Sequence, residues 1–256
     1  MNAFLDFRPG LKLAYRAEGG PAKPGQAGLM WLGGLRSDMT GSKAEALSLA
    51  MREAGRAFLR FDYSGHGASG GEFSDCTISG WLAESLAMFR QHTQGPTVLV
   101  GSSMGGWLAQ LLALREPERV AGLILIAPAT DMTEKLMWEA MDGPARESLV
   151  RQGFVAEPSQ YSPDPLIITR KLVEDGRQYG LLPGPIRIAA PVRILQGDAD
   201  PDVPWQHGLA THQAIVSEDC RFTLIKGGDH RLSGPRELAL LAQTARELCA
   251  SADVRG

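Results

Sequence analysis

A serine hydroxyl becomes a useful nucleophile at neutral pH only with a base in hydrogen-bond reach and a carboxylate that orients the base. This chain of 256 residues holds two stretches that fit G-x-S-x-G, GASGG at 67–71 and GSSMG at 101–105. With 30 glycines in the chain, chance alone expects about 0.2 such matches, so the pattern is weak without its context. Context separates the two. Ser103 follows the apolar run TVLV and precedes MGGWLAQLLAL, which reads as strand, sharp turn, helix. Small residues at 101 and 105 let that turn tighten and leave the serine Oγ exposed above the sheet. Ser69 lies in a glycine-rich loop with no helix start behind it. Ser103 is therefore the expected nucleophile and Ser69 its rival. Ser102 has the wrong register in the motif and is expected to pack or cap.

A nucleophile on such a turn has its partners further along the chain, acid first and then histidine. Of the five histidines, His207, His212 and His230 follow Ser103. His230 comes just after the strand-like FTLI, in the loop KGGDHRLSG, where catalytic groups collect at strand ends. His207 and His212 enter a helix, and their expected state is solvated. The acid should follow the preceding strand, VRILQ. Its loop, GDADPDVP, offers Asp198, Asp200 and Asp202, and spacing favours the middle one only slightly. The other two suit turns or a helix N-cap. A developing oxyanion needs two preset N–H donors. One is expected from Met104, the residue after the nucleophile, and the other from Gly33-Gly34-Leu35 after the strand LMWL.

These groups must be held by a scaffold, and the apolar pattern shows which. Strands are expected at Leu11–Arg16, Leu29–Leu32, Ala57–Tyr63, Thr97–Val100, Val120–Ala127, Val192–Gln196 and Arg221–Lys226. Helices are expected at Ala44–Ala54, Ile78–Arg90, Met104–Arg115, Leu209–Val216 and Arg236–Leu248. Continuous apolar strands with helices between them imply a mostly parallel, doubly wound α/β sheet covered on both faces. From about 130 to 190 no strand is expected. Helical pieces there end in LLPGPIRIAAP, and Asp131 with Glu134 suits a capping box for a helix carrying Leu136, Met137, Trp138 and Met141. The division is a core of 1–129 and 191–256 with a helical cap at 130–190, since a connection this long usually has a job.

Composition narrows the class. The formal net charge is −3, so no basic excess points to nucleic acid or anionic lipid. Hydrophobic residues at 44% and charged residues at 21% exclude intrinsic disorder. Folding should leave roughly 11,000 Å² exposed. Cys76, Cys220 and Cys249 form no CxxC, which suits a reducing compartment rather than a disulfide framework. With no secretory or transit pattern at the N-terminus, the expected location is cytoplasmic. The longest strongly apolar stretch, 120–129, is too short to span a bilayer. The histidines lack metal-binding pairs such as HExxH, and no GxxxxGK[ST] loop appears. No metal or cofactor is expected.

FDYSGHGASGG (61–71), GSSMGGW (101–107), GDADPDVPW (197–205) and GGDHR (227–231) together resemble the α/β-hydrolase superfamily, over nearly the whole chain. The resemblance implies the α/β-hydrolase fold, with the cap set between two late strands. In that superfamily the acid loop commonly reads G-x-x-D-x-x-V-P, which implies Asp200 as the acid. Gly33-Gly34 stands where a His-Gly pair is usual, and Leu35 would then supply the second oxyanion donor. His66, within the G-x-G-x-S loop, is expected to be structural. GGLRSDMTGSKA, FDYSG, GSSMGGWL and VPW narrow the resemblance to mitochondrial α/β-hydrolase-domain enzymes that remove palmitoyl groups and hydrolyse acyl glucuronides. It implies a serine esterase or thioesterase with an acyl ester or thioester as substrate. Leu136, Met137, Trp138 and Met141 suit an adaptable apolar wall for a medium or long acyl chain, or equally the interior of the cap. Two alternatives stand: another serine chemistry on this fold, such as a small-molecule carboxylesterase or carbon–carbon bond hydrolase, and a non-catalytic ligand binder. The oligomeric state stays open.

Overall fold

The computed structural model describes residues 1–20, 23–158, 163–182 and 184–253. In chain order its elements are β1 (Ala3–Arg8), β2 (Leu11–Glu18), β3 (Gly28–Leu32), α1 (Ser42–Glu53), β4 (Phe58–Phe61), α2 (Ile78–His92), β5 (Thr97–Ser102), α3 (Met104–Arg115) and β6 (Val120–Ile126). After these come α4 (Gly143–Gln152), β7 (Phe154–Glu157), β8 (Leu166–Thr169), α5 (Arg170–Gly176), β9 (Val192–Gly197), α6 (Trp205–Ala214), β10 (Cys220–Ile225) and α7 (Pro235–Asp253). Eight strands form one sheet in the order β1-β2-β4-β3-β5-β6-β9-β10. The pairs β1/β2 and β2/β4 are antiparallel, and the remaining pairs are parallel.

The middle strands β3 and β5 are buried at every position, as expected of parallel strands covered on both faces. Helices α1 and α7 pack with Trp31, Val100 and Ile126 on one face. The other face buries Trp81, Met104 and Trp107 from α2 and α3. Helix α3 is apolar almost all round, and ten of its twelve residues are buried, as a helix enclosed by sheet and neighbours must be. The exposed surface, 11,732 Å², agrees with the size expectation. Asp253 at the end of α7 accepts from the Arg56 guanidinium at 2.6 Å and from the Ala27 amide at 2.7 Å, tying the last helix to the start of β3.

Three features depart from the expectations. Strand β1 was not expected; it is an edge strand whose residues are half or fully exposed. The stretch between β6 and β9 is not purely helical either. β7 and β8 form an antiparallel pair, with Val155 opposite Ile168. Each is only four residues long, too short for alternation to stand out. The capping box is also absent. Asp131 has φ +56° and its carboxylate accepts from the Leu181 and Leu182 amides at 2.7 and 2.8 Å, while Glu134 pairs with Arg177 at 2.7 Å. The helical piece that follows, Thr133–Trp138, is a π-helical turn.

This insertion is fastened to the sheet domain at several points. Thr130 at its root is held by Gln110, Thr211 and His207. The Trp107 indole donates to the Tyr179 carbonyl at 3.2 Å. Asp175 receives both the amide and the hydroxyl of Ser79, at 2.8 and 2.6 Å, and the Arg36 guanidinium donates to the Pro165 carbonyl at 2.8 Å.

Candidate active site

The turn that carries Ser103 is strained, and its neighbours require that. Ser103 has φ +53° and ψ −118°, a region that a residue with a Cβ enters only at some cost. Its amide donates to Ile126, and its carbonyl accepts from Gly106 and Ala129. A methyl group on Gly105 would lie 2.1 Å from the Leu32 carbonyl oxygen, and one on Gly101 would lie 2.2 Å from that of Gly105. Only bare backbone lets α3 start this close to β3 and β5. Ser103 itself is half-buried, at the junction of β5 and α3.

Asp200 and His230 meet. Asp200 Oδ2 lies 2.8 Å from His230 Nδ1, with the carboxylate fully enclosed and the imidazole 16% exposed. A carboxylate only accepts, so Nδ1 carries the proton and the Nε2 lone pair is left for another donor. The second oxygen of Asp200 accepts the amides of Asp202 and Val203, both at 2.9 Å. Buried Gln196 adds its Nε2 at 3.2 Å and also holds the Val203 carbonyl at 3.0 Å. A satisfied carboxylate of this kind fixes the ring plane. The two loops touch through backbone: Ala199 donates to Gly228, and a methyl on Gly197 would lie 2.1 Å from that same carbonyl oxygen.

The histidine loop leaves β10 at the sheet's edge but folds back toward its centre. Lys43, at the start of α1, donates to the Arg231 carbonyl, and Leu232 packs in the cluster that holds Trp31, Val100 and Ala44. Next to His230, then, the chain is tied to the start of α1 and shares a packed cluster with β3 and with β5, the strand that leads into Ser103. Burial lowers the Lys43 pKa to about 8, and the Arg231 charge adds to the effect.

The loop after β3 supplies backbone donors. A methyl on Gly34 would sit 3.5 Å from the Ser103 Cβ, which brings residues 33–35 alongside the serine. The Arg36 amide is taken by His66 Nε2 at 2.9 Å and the Met39 amide by Asp62 at 2.7 Å. Among the described residues neither the Leu35 amide nor that of Met104 donates to an acceptor in the chain.

Other candidates lie elsewhere. The Ser69 hydroxyl donates to the Asp62 carbonyl at 2.6 Å and accepts from the Ala14 amide at 2.8 Å. Ser102 is buried in β5. Asp198 is engaged by Lys226 and by the Gly227 amide; these bonds hold its carboxyl below the usual carboxylate range. The expectation of solvated histidines does not hold. His207 Nε2 is 2.8 Å from the Thr130 carbonyl, and His212 Nδ1 is 3.1 Å from the Cys220 sulfur. Met137 and Met141 are buried against the core, with Leu136 and Trp138 packed beside them. The Arg146 and Arg177 guanidiniums lie 5.2 and 5.1 Å from the Trp138 ring centre. Gln196 and Asp62 were not singled out in the sequence. A glutamine ending the apolar VRILQ and an aspartate following the apolar FLRF were the available signals.

A family model described as "Serine aminopeptidase, S33" matches residues 36–165, about half of the chain. The chain belongs to this α/β-hydrolase family. A crystal structure of a hydrolase from Agrobacterium vitis S4 superposes with a TM-score of 0.92 at 41% identity, covering 97% of this chain and 98% of that one. The mouse α/β-hydrolase domain-containing protein 10 superposes at 0.88, with 34% identity over 98% and 99% of the two chains. In sequence, 36% identity over 224 residues links the chain to mouse palmitoyl-protein thioesterase ABHD10, mitochondrial, covering 86% of this chain and 74% of the mouse protein. The fold is the α/β-hydrolase fold, and the chain is a hydrolase of ester or thioester bonds. The expectation of a cytoplasmic location is overturned by the same relative, which is named a mitochondrial protein. Free thiols constrain redox state and not the compartment. Among the described residues no helix is long and apolar enough to cross a membrane.

Proposed function

We propose that Ser103 attacks the substrate carbonyl while His230 Nε2 takes its proton. Asp200 holds the imidazole in its Nδ1–H tautomer and stabilises the cation that forms. The Leu35 and Met104 amides receive the negative charge that develops on the carbonyl oxygen. As the tetrahedral species collapses, the alcohol or thiol leaves with the proton from His230, and the acyl group stays on Ser103. A water that loses its proton to His230 then attacks that acyl group, and the acid departs as Ser103 regains its proton. The observation that carries this reading is the 2.8 Å Asp200–His230 contact, beside a residue, Leu232, that packs in the cluster of β3 and β5.

The substrate we propose is a medium or long acyl ester or thioester, of the kind the palmitoyl-protein thioesterase relatives are named for. Residues 130–190 act as a cap, and Leu136, Met137, Trp138 and Met141 wall the acyl chain. Unbranched methionines suit a flexible hydrocarbon, and the two guanidiniums over Trp138 hold that ring in place. The test is kcat/KM for matched oxygen esters and thioesters from acetyl to palmitoyl. We expect it to rise with chain length, and best turnover at acetyl would overturn the long-acyl reading. A fluorophosphonate probe should label Ser103 alone. Ligand binding without labelling would favour a non-catalytic binder.

A further inference from the structure

The β3–α1 connection, residues 33–41, carries the Leu35 amide but has no regular structure of its own to hold it. Its order comes from a few bonds, one of them to a side chain that the mechanism above does not use. His66 Nε2 accepts the Arg36 amide at 2.9 Å, and His66 Nδ1 lies 3.0 Å from the Ser64 carbonyl. An amide only donates, so Nε2 supplies the lone pair and Nδ1 carries the proton to Ser64. Ser64 is itself pinned, with its amide and hydroxyl both on the buried Glu84 carboxylate at 2.9 and 2.6 Å. The Trp81 indole adds a bond to the same Ser64 carbonyl at 3.1 Å. The imidazole is 4% exposed, caged by Tyr63, Phe73 and Trp81 at centroid distances of 5.7, 5.6 and 5.3 Å.

We propose that His66 is a positioning residue: by accepting the Arg36 amide it sets the aim of the Leu35 N–H at the oxyanion. The inference rests on Leu35 being an oxyanion donor. The Arg36 N–H lies in the peptide plane that joins Leu35 to Arg36. Fixing that plane leaves only the two rotations about the Leu35 Cα between it and the Leu35 N–H. Arg36 has φ +55°, a conformation that an unanchored residue with a side chain would leave. Packing alone would be served by any ring in the cage, but only an acceptor at Nε2 holds the Arg36 amide. Burial lowers the His66 pKa, with the Arg36 charge a lesser cause in the same direction, so the ring keeps its lone pair.

The experiment uses the whole enzyme with His66→Phe, His66→Leu and His66→Gln. Displacing a preset group by about 1 Å can cost about 10²-fold. His66→Phe and His66→Leu should therefore lower kcat by about 100-fold with KM within about twofold, since the lost contact matters in the transition state. His66→Gln, with an oxygen that can accept, should recover most of the loss. Affinity for an alkyl boronic acid, which forms a tetrahedral adduct on the nucleophile, should fall in parallel with kcat. His66→Leu serves if the phenyl ring disturbs folding. In the unmutated enzyme, ¹⁵N NMR should show coupling between the Arg36 amide nitrogen and His66 Nε2, and the Leu35 amide proton should shift when the boronate binds. If the adduct forms and Leu35 does not respond, the oxyanion reading fails and this inference with it. If Leu35 responds but His66→Phe and His66→Leu keep full kcat, the inference alone is overturned. A glutamine variant no better than phenylalanine would also overturn it, leaving His66 as packing.

Discussion

GASGG and GSSMG present the same motif in one chain and put it to opposite uses. In the second, the backbone at Ser103 is forced to φ +53° by the close approach of α3 to β3 and β5, and its neighbours take the amide and carbonyl, while among the described residues none bonds the hydroxyl. In the first, Ser69 gives its hydroxyl to the Asp62 carbonyl and receives the Ala14 amide, splinting its loop to β2 and to the end of β4. What separates the proposed nucleophile from the splint is therefore not the five-residue pattern. It is whether the flanking elements are a buried strand and a helix that must start at once. Asp62 deepens the contrast: its carboxylate gathers the amides of Met39 and Ala68, so the Ser69 region works as scaffold.

The largest effect should separate the two serines outright. Ser103→Ala should lower kcat by about 10⁶-fold, with unchanged circular dichroism and no fluorophosphonate labelling. An active Ser103→Ala enzyme would reverse the comparison. Next, Asp200→Asn should cost about 10⁴-fold in kcat, because an amide presents the wrong tautomer partner to His230. Asp198→Asn, which removes only an exposed pair with Lys226, should leave kcat within about threefold. In the pH dependence, kcat/KM should fall on acidification between about pH 8 and 5, because protonated His230 has no lone pair for the Ser103 proton. Burial lowers the His66 pKa, so that ring takes up its proton at lower pH than an ordinary imidazole. A profile flat across it would contradict the role given to His230. The smallest effect is Ser69→Ala. Activity should stay within a few-fold, while urea unfolding should show a loss of about 1–3 kcal/mol as the Ala14 amide loses its acceptor.

Local signals carried much of the reading, and non-local pairings escaped it. The buried strands β3, β5, β6 and β9 are legible because parallel strands covered on both faces are continuous apolar runs. The Ser103 turn is legible because strand, glycines and helix are contiguous. Asp200 is chosen over Asp198 only through the family-like loop, since three carboxylates within five residues look alike to spacing. Asp131 looked like a cap but spends its carboxylate on amides fifty positions away at Leu181 and Leu182. His207 looked solvated because its partner, the Thr130 carbonyl, is 77 positions distant. The β7–β8 pair needs two four-residue segments to find one another, and neither alone has a period to detect.

The contact between Gly197 and Gly228 makes the proposed reactive machinery vulnerable at a place that holds none of it. One methyl group at position 197 would wedge the two loops apart by their main chains. Nucleophile, imidazole and carboxylate would all still be encoded, and an inspection of reactive side chains would pass such a protein as competent. Its failure would lie in spacing alone. Variants that lose activity with every reactive residue intact are thus to be sought first among the glycines between acid and base.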